Sequence, residues 1–432
     1  MAAEAPKRGR GGGDEEPGRA SAKAVFRHML LNVGVNTTVV GTRPALLLYL
    51  LNGDATRAIK MQALWAGLIG AMEFVVNPAL GRLSDLVGRK PFLMVGPVVN
   101  LVLKTLVALR PSVQALMLER IVCGAMTTVA GSTTCSAALS DLSTGKGLAM
   151  KGANLGAYAG AGCVIGPLIG GQILARTGSF RLPFAVAAFF AAVDLVMLQR
   201  NFDETMVEST PWDWAAVNPL RFLKLFDGTS MAFKKSLLLG GLMCFPEGKN
   251  LSDFNQMYIL KHAKFSPDMR TLFTVGFGCT MFLGGNLAKT TLSVLGQRGH
   301  TSASNWITML GLSVWSASPT AVGMFGGLAI LCGGMERRAA TNALTTGLAL
   351  EHGFSRGEFA GLFANWRAIV TCVAPLLYAR VYALFSTSTP ILGGRSWAGA
   401  PYVAAGLVCL MGEVLHRSMT DKDLGIEEEK KS

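Results

Sequence analysis

The chain has 432 residues, 50% of them hydrophobic and only 16% charged, with a formal net charge of +13. A soluble domain carries about 25% charged residues, so this composition, with a mean hydropathy of +0.40, argues against a soluble globular enzyme. The positive charge is dispersed over tails and loops, which argues against a nucleic-acid interface and toward membrane orientation.

Residues 1–25 are Gly-rich and carry Glu4, Asp14, Glu15 and Glu16 among basic residues. A signal peptide needs an apolar centre and a transit peptide is poor in acids, so this stretch reads as a disordered cytosolic tail. Apolar runs follow that are long enough to cross a hydrocarbon layer of ~30 Å. Spans are predicted at 28–51, 61–81, 92–109, 113–137, 150–174 and 182–200, then at 236–259, 271–294, 303–318, 320–346, 358–385 and 398–416. The polar stretch 201–235 separates the two sets, and a charged tail occupies 418–432. The fold class expected is an all-α membrane protein of twelve transmembrane helices, with bundles over 26–200 and 236–417 joined by a cytosolic loop. With both termini inside, the larger share of the 40 Lys and Arg falls on the inner side, the positive-inside bias. The eight cysteines all lie inside predicted spans and form no CxxC pair, so neither disulfides nor zinc is expected. No histidine is predicted to lie deep in a span.

The two sets repeat. Ile121-Val-Cys-Gly-Ala-Met126 matches Ile330-Leu-Cys-Gly-Gly-Met335, an offset of 209 from Cys123 to Cys332. Gly152 matches Gly361 at the same offset, and Cys163-Val-Ile-Gly-Pro167 matches Cys372-Val-Ala-Pro375, slipping to 208. Parallel six-helix halves of this kind are a transporter architecture with the substrate site between them.

Between spans two and three the chain reads Gly81-Arg-Leu-Ser-Asp85-Leu-Val-Gly88-Arg89-Lys90-Pro91. Gly88 permits a tight turn, Asp85 is an anion suited to the positive end of a helix, and Arg89 and Lys90 hold the loop at the inner surface. This stretch resembles the signature of the major facilitator superfamily, Gly-x-x-x-Asp-x-x-Gly-Arg-Lys/Arg. The resemblance implies that Gly81, Asp85, Gly88, Arg89 and Lys90 form a gate that latches the inner side against helix 11. Arg120-Ile-Val-Cys-Gly124 resembles a second family pattern, whose arginine is linked to proton movement. Gly162-Cys-Val-Ile-Gly166-Pro167-Leu-Ile-Gly170-Gly171 resembles the pattern called the antiporter motif, and its residues equally suit plain helix packing. Within the superfamily the chain is most similar to the tetracycline-resistance-like branch, which contains exporters coupled to protons. Those exporters carry an aspartate in the first helix. This chain has no acid between Phe26 and Leu51, only Asn32, Asn36 and Arg43.

Charges inside a bilayer cost about 2.5–3.5 kcal/mol each on insertion scales, so they pair, face water or act. Basic residues in spans are Arg43, Lys104, Arg120, Lys249, Arg367 and Arg380; acids are Glu73, Glu119, Asp194, Glu247, Asp253 and Glu413. Glu73, Arg120 and Asp253 are the proton-coupling candidates. Asn32, Asn36 and Arg43 share one face of span one, and Lys249, Asp253 and Gln256 share one face of span seven. These stripes, with Trp366 and Arg367, are the substrate-cavity candidates, the two stripes facing each other and Lys249 pairing along its helix with Asp253. Each charge equally suits a static ion pair that holds the bundle.

No ATP-binding loop, metal cluster or Ser/His/Asp constellation is present, so no cofactor and no enzymatic activity is expected. The expected function is secondary transport of a small organic solute by alternating access, as a proton-coupled exporter or exchanger. The partners are the solute, protons and the bilayer, and the chain is expected to be a monomer. A nutrient uniporter or symporter, and a transporter-derived receptor without flux, are the alternatives.

Overall fold

A computed structural model describes residues 17–126, 133–142, 145–206, 218–354, 356–387 and 396–420; the outer tails and residues 207–217 of the central loop are among those that lie outside these. Among the described residues the chain is helical without strands. The helices group, in chain order, into twelve units that coincide with the predicted spans. The first half holds α1 (Pro17–Thr38 continued by Thr42–Leu50), α2 (Ala55–Val87) and α3 (Arg89–Leu109). It continues with α4 (Val113–Leu118, a π turn Glu119–Cys123, Gly124–Met126 and Thr134–Leu142), α5 (Gly145–Thr177) and α6 (Arg181–Asn201). A 3-10 turn, Pro219–Leu225, leads to α7 (Met231–Cys244 and Gly248–Lys261). The helical stretch Pro267–Ala317 divides at Gly296, whose φ is 66°, into α8 (267–295) and α9 (297–317). The last three are α10 (Ala321–Leu331, a 3-10 turn Cys332–Gly334 and Ala339–Glu351), α11 (Arg356–Phe385) and α12 (Ala400–Arg417). Among the described residues six helices, with Pro267–Ala317 counted as one, are long and apolar enough to cross a membrane.

Helix starts follow ordinary capping chemistry, in which a side-chain oxygen takes one of the orphan N–H groups of the first turn. Asp54, Ser112, Ser230, Ser266 and Thr320 each accept such a bond. Helix breaks follow proline chemistry: Pro246 cannot donate to the α7 ladder, and α7 breaks between Cys244 and Gly248.

The irregularities repeat with the sequence. Both α1 and α7 are broken, and the non-α turns of α4 and α10 fall at Cys123 and Cys332, the matched pair. The caps Ser112 and Thr320 stand 208 apart. The halves meet chiefly through α2 with α11 and α5 with α8, two interfaces that exchange under the repeat. Small residues allow the approach: a Cβ on Gly70 of α2 would lie 2.8 Å from the Cα of Cys372, and one on Gly278 of α8 would lie 3.0 Å from Val164. These contacts lie on the parts of α2, α5, α8 and α11 that are remote from the Gly88 turn.

Candidate functional site

At the Gly88 end the backbone turns between α2 and α3 with a φ of 116°, a conformation that favours glycine. Glu204, just beyond α6, fills the space where a Cβ would stand. Its carboxylate accepts from the N–H of Arg89 (2.8 Å) and of Lys90 (2.9 Å), the first residues of α3, so an anion caps a helix N-terminus. Burial pushes the Glu204 carboxyl up, but the N–H groups of Lys90, Arg89, Met206 and Thr205 outweigh it and hold it below the usual carboxylate range. The Arg89 guanidinium reaches Asp141 at the end of α4 (3.1 Å) and Ser84 (3.0 Å), and the Lys90 ammonium reaches the Gln199 carbonyl (3.1 Å). The bonds seen for Arg89 and Lys90 run to α2, α4, α6 and Glu204. Gly81 and the side chain of Asp85 lie outside the described residues.

Inside the first half, a chain of polar groups runs from α1 to α3 and α4. Glu119, at the start of the π turn, takes two bonds from Arg43 (2.7 and 2.8 Å) and one from Lys104 (2.7 Å). Glu119 and Lys104 are fully buried. Lys104 also donates to Asn36 (3.3 Å), Asn36 to the Asn32 carbonyl (2.8 Å), and Asn100 to the Asn32 side chain (3.5 Å). The stripe of α1 therefore bonds to α3 and α4, and its Arg43 also lies within electrostatic reach of Asp253 of α7. The cause is electrostatic: the cations Arg43 and Lys104 need a carboxylate, and Glu119 bonds to both.

The α7 stripe likewise bonds to other helices. Asp253 pairs with Arg120 of α4, at 2.7 Å from Nη2 and 3.2 Å from Nε. This ion pair joins the two halves, with both side chains about one-fifth exposed. Gln256 donates to Thr274 of α8 (3.2 Å), and the side chain of Lys249 lies outside the described residues. At the α7 break, Glu247 takes Arg338 (2.5 Å) and Arg367 (3.5 Å), and Arg367 also donates to the Cys244 sulfur (3.3 Å). Glu73 of α2 is buried and lies within electrostatic reach of Arg367. Trp366 is fixed to α7 by a bond to the Leu237 carbonyl (3.0 Å) and stacks on Phe222, so it clamps the Pro219–Leu225 turn.

The α5 motif is a packing surface. Cβ atoms on Gly162, Gly166 and Gly170 would run into the backbone of α1 at Leu30, Gly34 and Thr38, and one on Gly171 into Thr271 of α8. Thr37 closes the contact by donating to the Gly162 carbonyl (2.9 Å). Pro167 is buried within this unbroken helix.

Several partners escape sequence reasoning because they meet only in space. Lys104 and Glu119 are 15 residues apart, and Arg120 and Asp253 are 133 apart. His28 is buried against Asp194 (2.9 Å), which corrects the expectation that no histidine sits inside the bundle. Arg338 and Glu204 were outside the candidate sets; the offset of Cys332 from Cys123 placed Arg338 beside a break, a signal that could have flagged it. Among the described residues no His, Cys, Asp and Glu gather as a metal would require.

The profile of the Major Facilitator Superfamily matches residues 30–375. The chain belongs to that superfamily. Its curated relatives include the class H tetracycline resistance protein of Pasteurella multocida, 31% identical over 176 residues, or 39% of this chain and 41% of that protein. The class D tetracycline resistance protein of Salmonella ordonez is 36% identical over 131 residues, 30% of this chain and 32% of the relative. The matched segments thus span well under half of either relative. Among solved structures, the human organic anion transporter MFSD10 superposes with a TM-score of 0.65 at 17% identity, covering 93% of this chain and all of that one. A D-xylose-proton symporter gives 0.70 at 14% identity, covering 94% and 98%. Such identities speak for a shared major facilitator fold alone, and membership of the superfamily makes the chain an integral multi-pass membrane protein.

Proposed function

We propose that this superfamily member moves a small organic solute by alternating access, coupled to protons, as an exporter or exchanger. The observation that carries the reading is the Arg120–Asp253 pair, because it is a titratable contact that ties one half to the other. A proton on Asp253 removes the charge that holds Arg120, so the halves separate at the face where they now meet. Breaking a fully buried pair by removing a partner costs about 3–5 kcal/mol, whereas exposed pairs contribute ~0–1 kcal/mol. A pair one-fifth exposed lies between, in the range of a switch between states separated by a few kcal/mol. Likeness to tetracycline resistance proteins supports the direction of transport and offers tetracycline as the first probe.

In this reading the Gly88 turn and both termini face the cytosol, the halves span 26–200 and 236–417, and the chain works as a monomer. The solute then approaches from the Gly88 side, between the halves, toward Glu73, Arg120, Asp253, Glu247, Arg338 and Arg367. The test is transport in proteoliposomes under an imposed pH gradient, with tetracycline first and a panel of small organic solutes after it. Asp253→Asn is expected to retain solute exchange and lose its response to the gradient. Undiminished gradient-driven transport by that variant would remove the coupling claim and favour a uniporter.

A further inference from the structure

A small cavity lies apart from these charges. It is lined from three helices: Thr38, Val40, Gly41 and Thr42 at the break of α1, Pro167, Gly171 and Leu174 of α5, and Pro267, Arg270, Thr271 and Thr274 of α8. It therefore sits where the first half meets the second, on the side remote from the Gly88 turn. Its enclosed volume, about 20 Å³, is room for about one water-sized group.

Arg270 dominates this cavity. The residue is 6% exposed. One guanidinium nitrogen donates to the Gly41 carbonyl (3.1 Å), and Nε has no partner. No carboxylate is among the lining residues, and among the described residues none forms an ion pair with Arg270. Among the other cations so little exposed, Lys104 has Glu119, while Arg337 donates to the Met243 carbonyl and leaves its Nε without a partner. A buried cation without a counter-charge is strongly unfavourable, and here space adjoins it. The hydroxyls of Thr38, Thr271 and Thr274 donate to the carbonyls of their own helices. Among the described residues the Thr42 hydroxyl makes no hydrogen bond, so one donor from α1 faces the same cavity as the guanidinium from α8.

We propose that this cavity binds one small monovalent anion, held by Arg270 from the second half and Thr42 from the first. The anion supplies the missing counter-charge and joins the halves, so its binding stabilises the arrangement in which this face is closed. A ligand that binds only that arrangement raises stability with its concentration. The solute site is not involved, and the proposal stands whether or not transport is proton-coupled.

The experiment is thermal unfolding of the purified full chain in detergent, titrated with sodium chloride against sodium gluconate at constant ionic strength. Gluconate is too bulky for the cavity. The midpoint is expected to rise with chloride, and to rise less or not at all with gluconate. Thr42→Val keeps the shape and removes one donor, and is expected to weaken the apparent anion affinity roughly tenfold, the effect of one hydrogen bond to a charged group. Arg270→Gln is expected to abolish the response. An equal rise with gluconate, or an unchanged anion titration in Thr42→Val, overturns the proposal. The Thr42 variant decides the matter even if Arg270→Gln does not fold.

Discussion

Removing the Glu119 carboxylate strikes the most buried charge cluster in the molecule. Glu119 holds Arg43 by a two-point contact and Lys104 by a third bond, and both Glu119 and Lys104 have no exposed side-chain surface. The cluster carries one negative and two positive charges. Glu119→Gln keeps the volume and leaves two cations without an anion. Loss of one partner from a buried pair costs about 3–5 kcal/mol. Arg43 is 12% exposed and recovers part of its hydration, so most of the cost falls on Lys104, and we expect a loss of about 3 kcal/mol. Adding Lys104→Met to Glu119→Gln removes the stranded cation and should restore more than half of it, since replacing buried ion pairs by apolar groups is often neutral or stabilising. The assay is chemical or thermal unfolding of the purified protein in detergent, read for wild type, both single variants and the double variant. A Glu119→Gln protein within about 0.5 kcal/mol of wild type, the range of ordinary surface changes, would refute the reasoning. So would a double variant no more stable than Glu119→Gln alone.

Gly170→Leu should prevent α1 from packing on α5, because a Cβ there would fall on the Thr38 carbonyl; overpacking costs about 1–3 kcal/mol. The control is Gly160→Ala on the same helix, where nothing stands within 4 Å of the added atom, and folded yield should fall only in the first. Gly88→Ala forces an L residue to a φ of 116° and should loosen the α2–α3 turn at a cost of about 1–3 kcal/mol, seen as faster amide exchange at Arg89 and Lys90. Glu204 has a folded value below its ordinary 4.5, so its contribution is present above that value and is lost as pH falls through the lowered one. Amide exchange at Arg89 and Lys90, corrected for its intrinsic pH dependence, should accelerate on acidification in wild type and be fast throughout in Glu204→Gln.

The spans were legible because apolar run length is a one-dimensional property. Even the broken α7 was foreshadowed by Pro246. The offset of 209 between Cys123 and Cys332 marked more than homology of the halves, since both cysteines sit at a non-α turn. Partner choice was not legible. Asn32, Asn36 and Arg43 do share a face, but which neighbour that face meets depends on where Lys104 and Glu119 arrive from α3 and α4. Helical periodicity suggested a Lys249–Asp253 contact, whose Lys249 side chain lies outside the described residues; the tertiary fold brings Arg120 to Asp253 from the other half. The α5 glycines show the same limit from the other side. Their spacing announced a close approach, and only the structure shows that Gly162, Gly166 and Gly170 address α1 while Gly171 addresses α8.

Comparison of the two acid clusters indicates which one moves. Each half contains a glutamate held by two cations at a helix irregularity: Glu119 with Arg43 and Lys104 at the π turn of α4, and Glu247 with Arg338 and Arg367 at the break of α7. Burial separates them. The side chains of Glu247, Arg338 and Arg367 are 19%, 26% and 36% exposed, so water partly screens each charge when a contact opens, and the cost falls between the ~0–1 kcal/mol of surface pairs and the ~3–5 kcal/mol of a buried pair that loses a partner. The Glu119 cluster has less recourse to water. The consequence is testable by charge removal in pairs: Glu247→Gln should destabilise clearly less than Glu119→Gln while altering solute transport, and Glu119→Gln should do the reverse of the first. If Glu247→Gln proves as destabilising as Glu119→Gln, exposure is not what divides the two clusters, and the assignment of mobility to the second half falls.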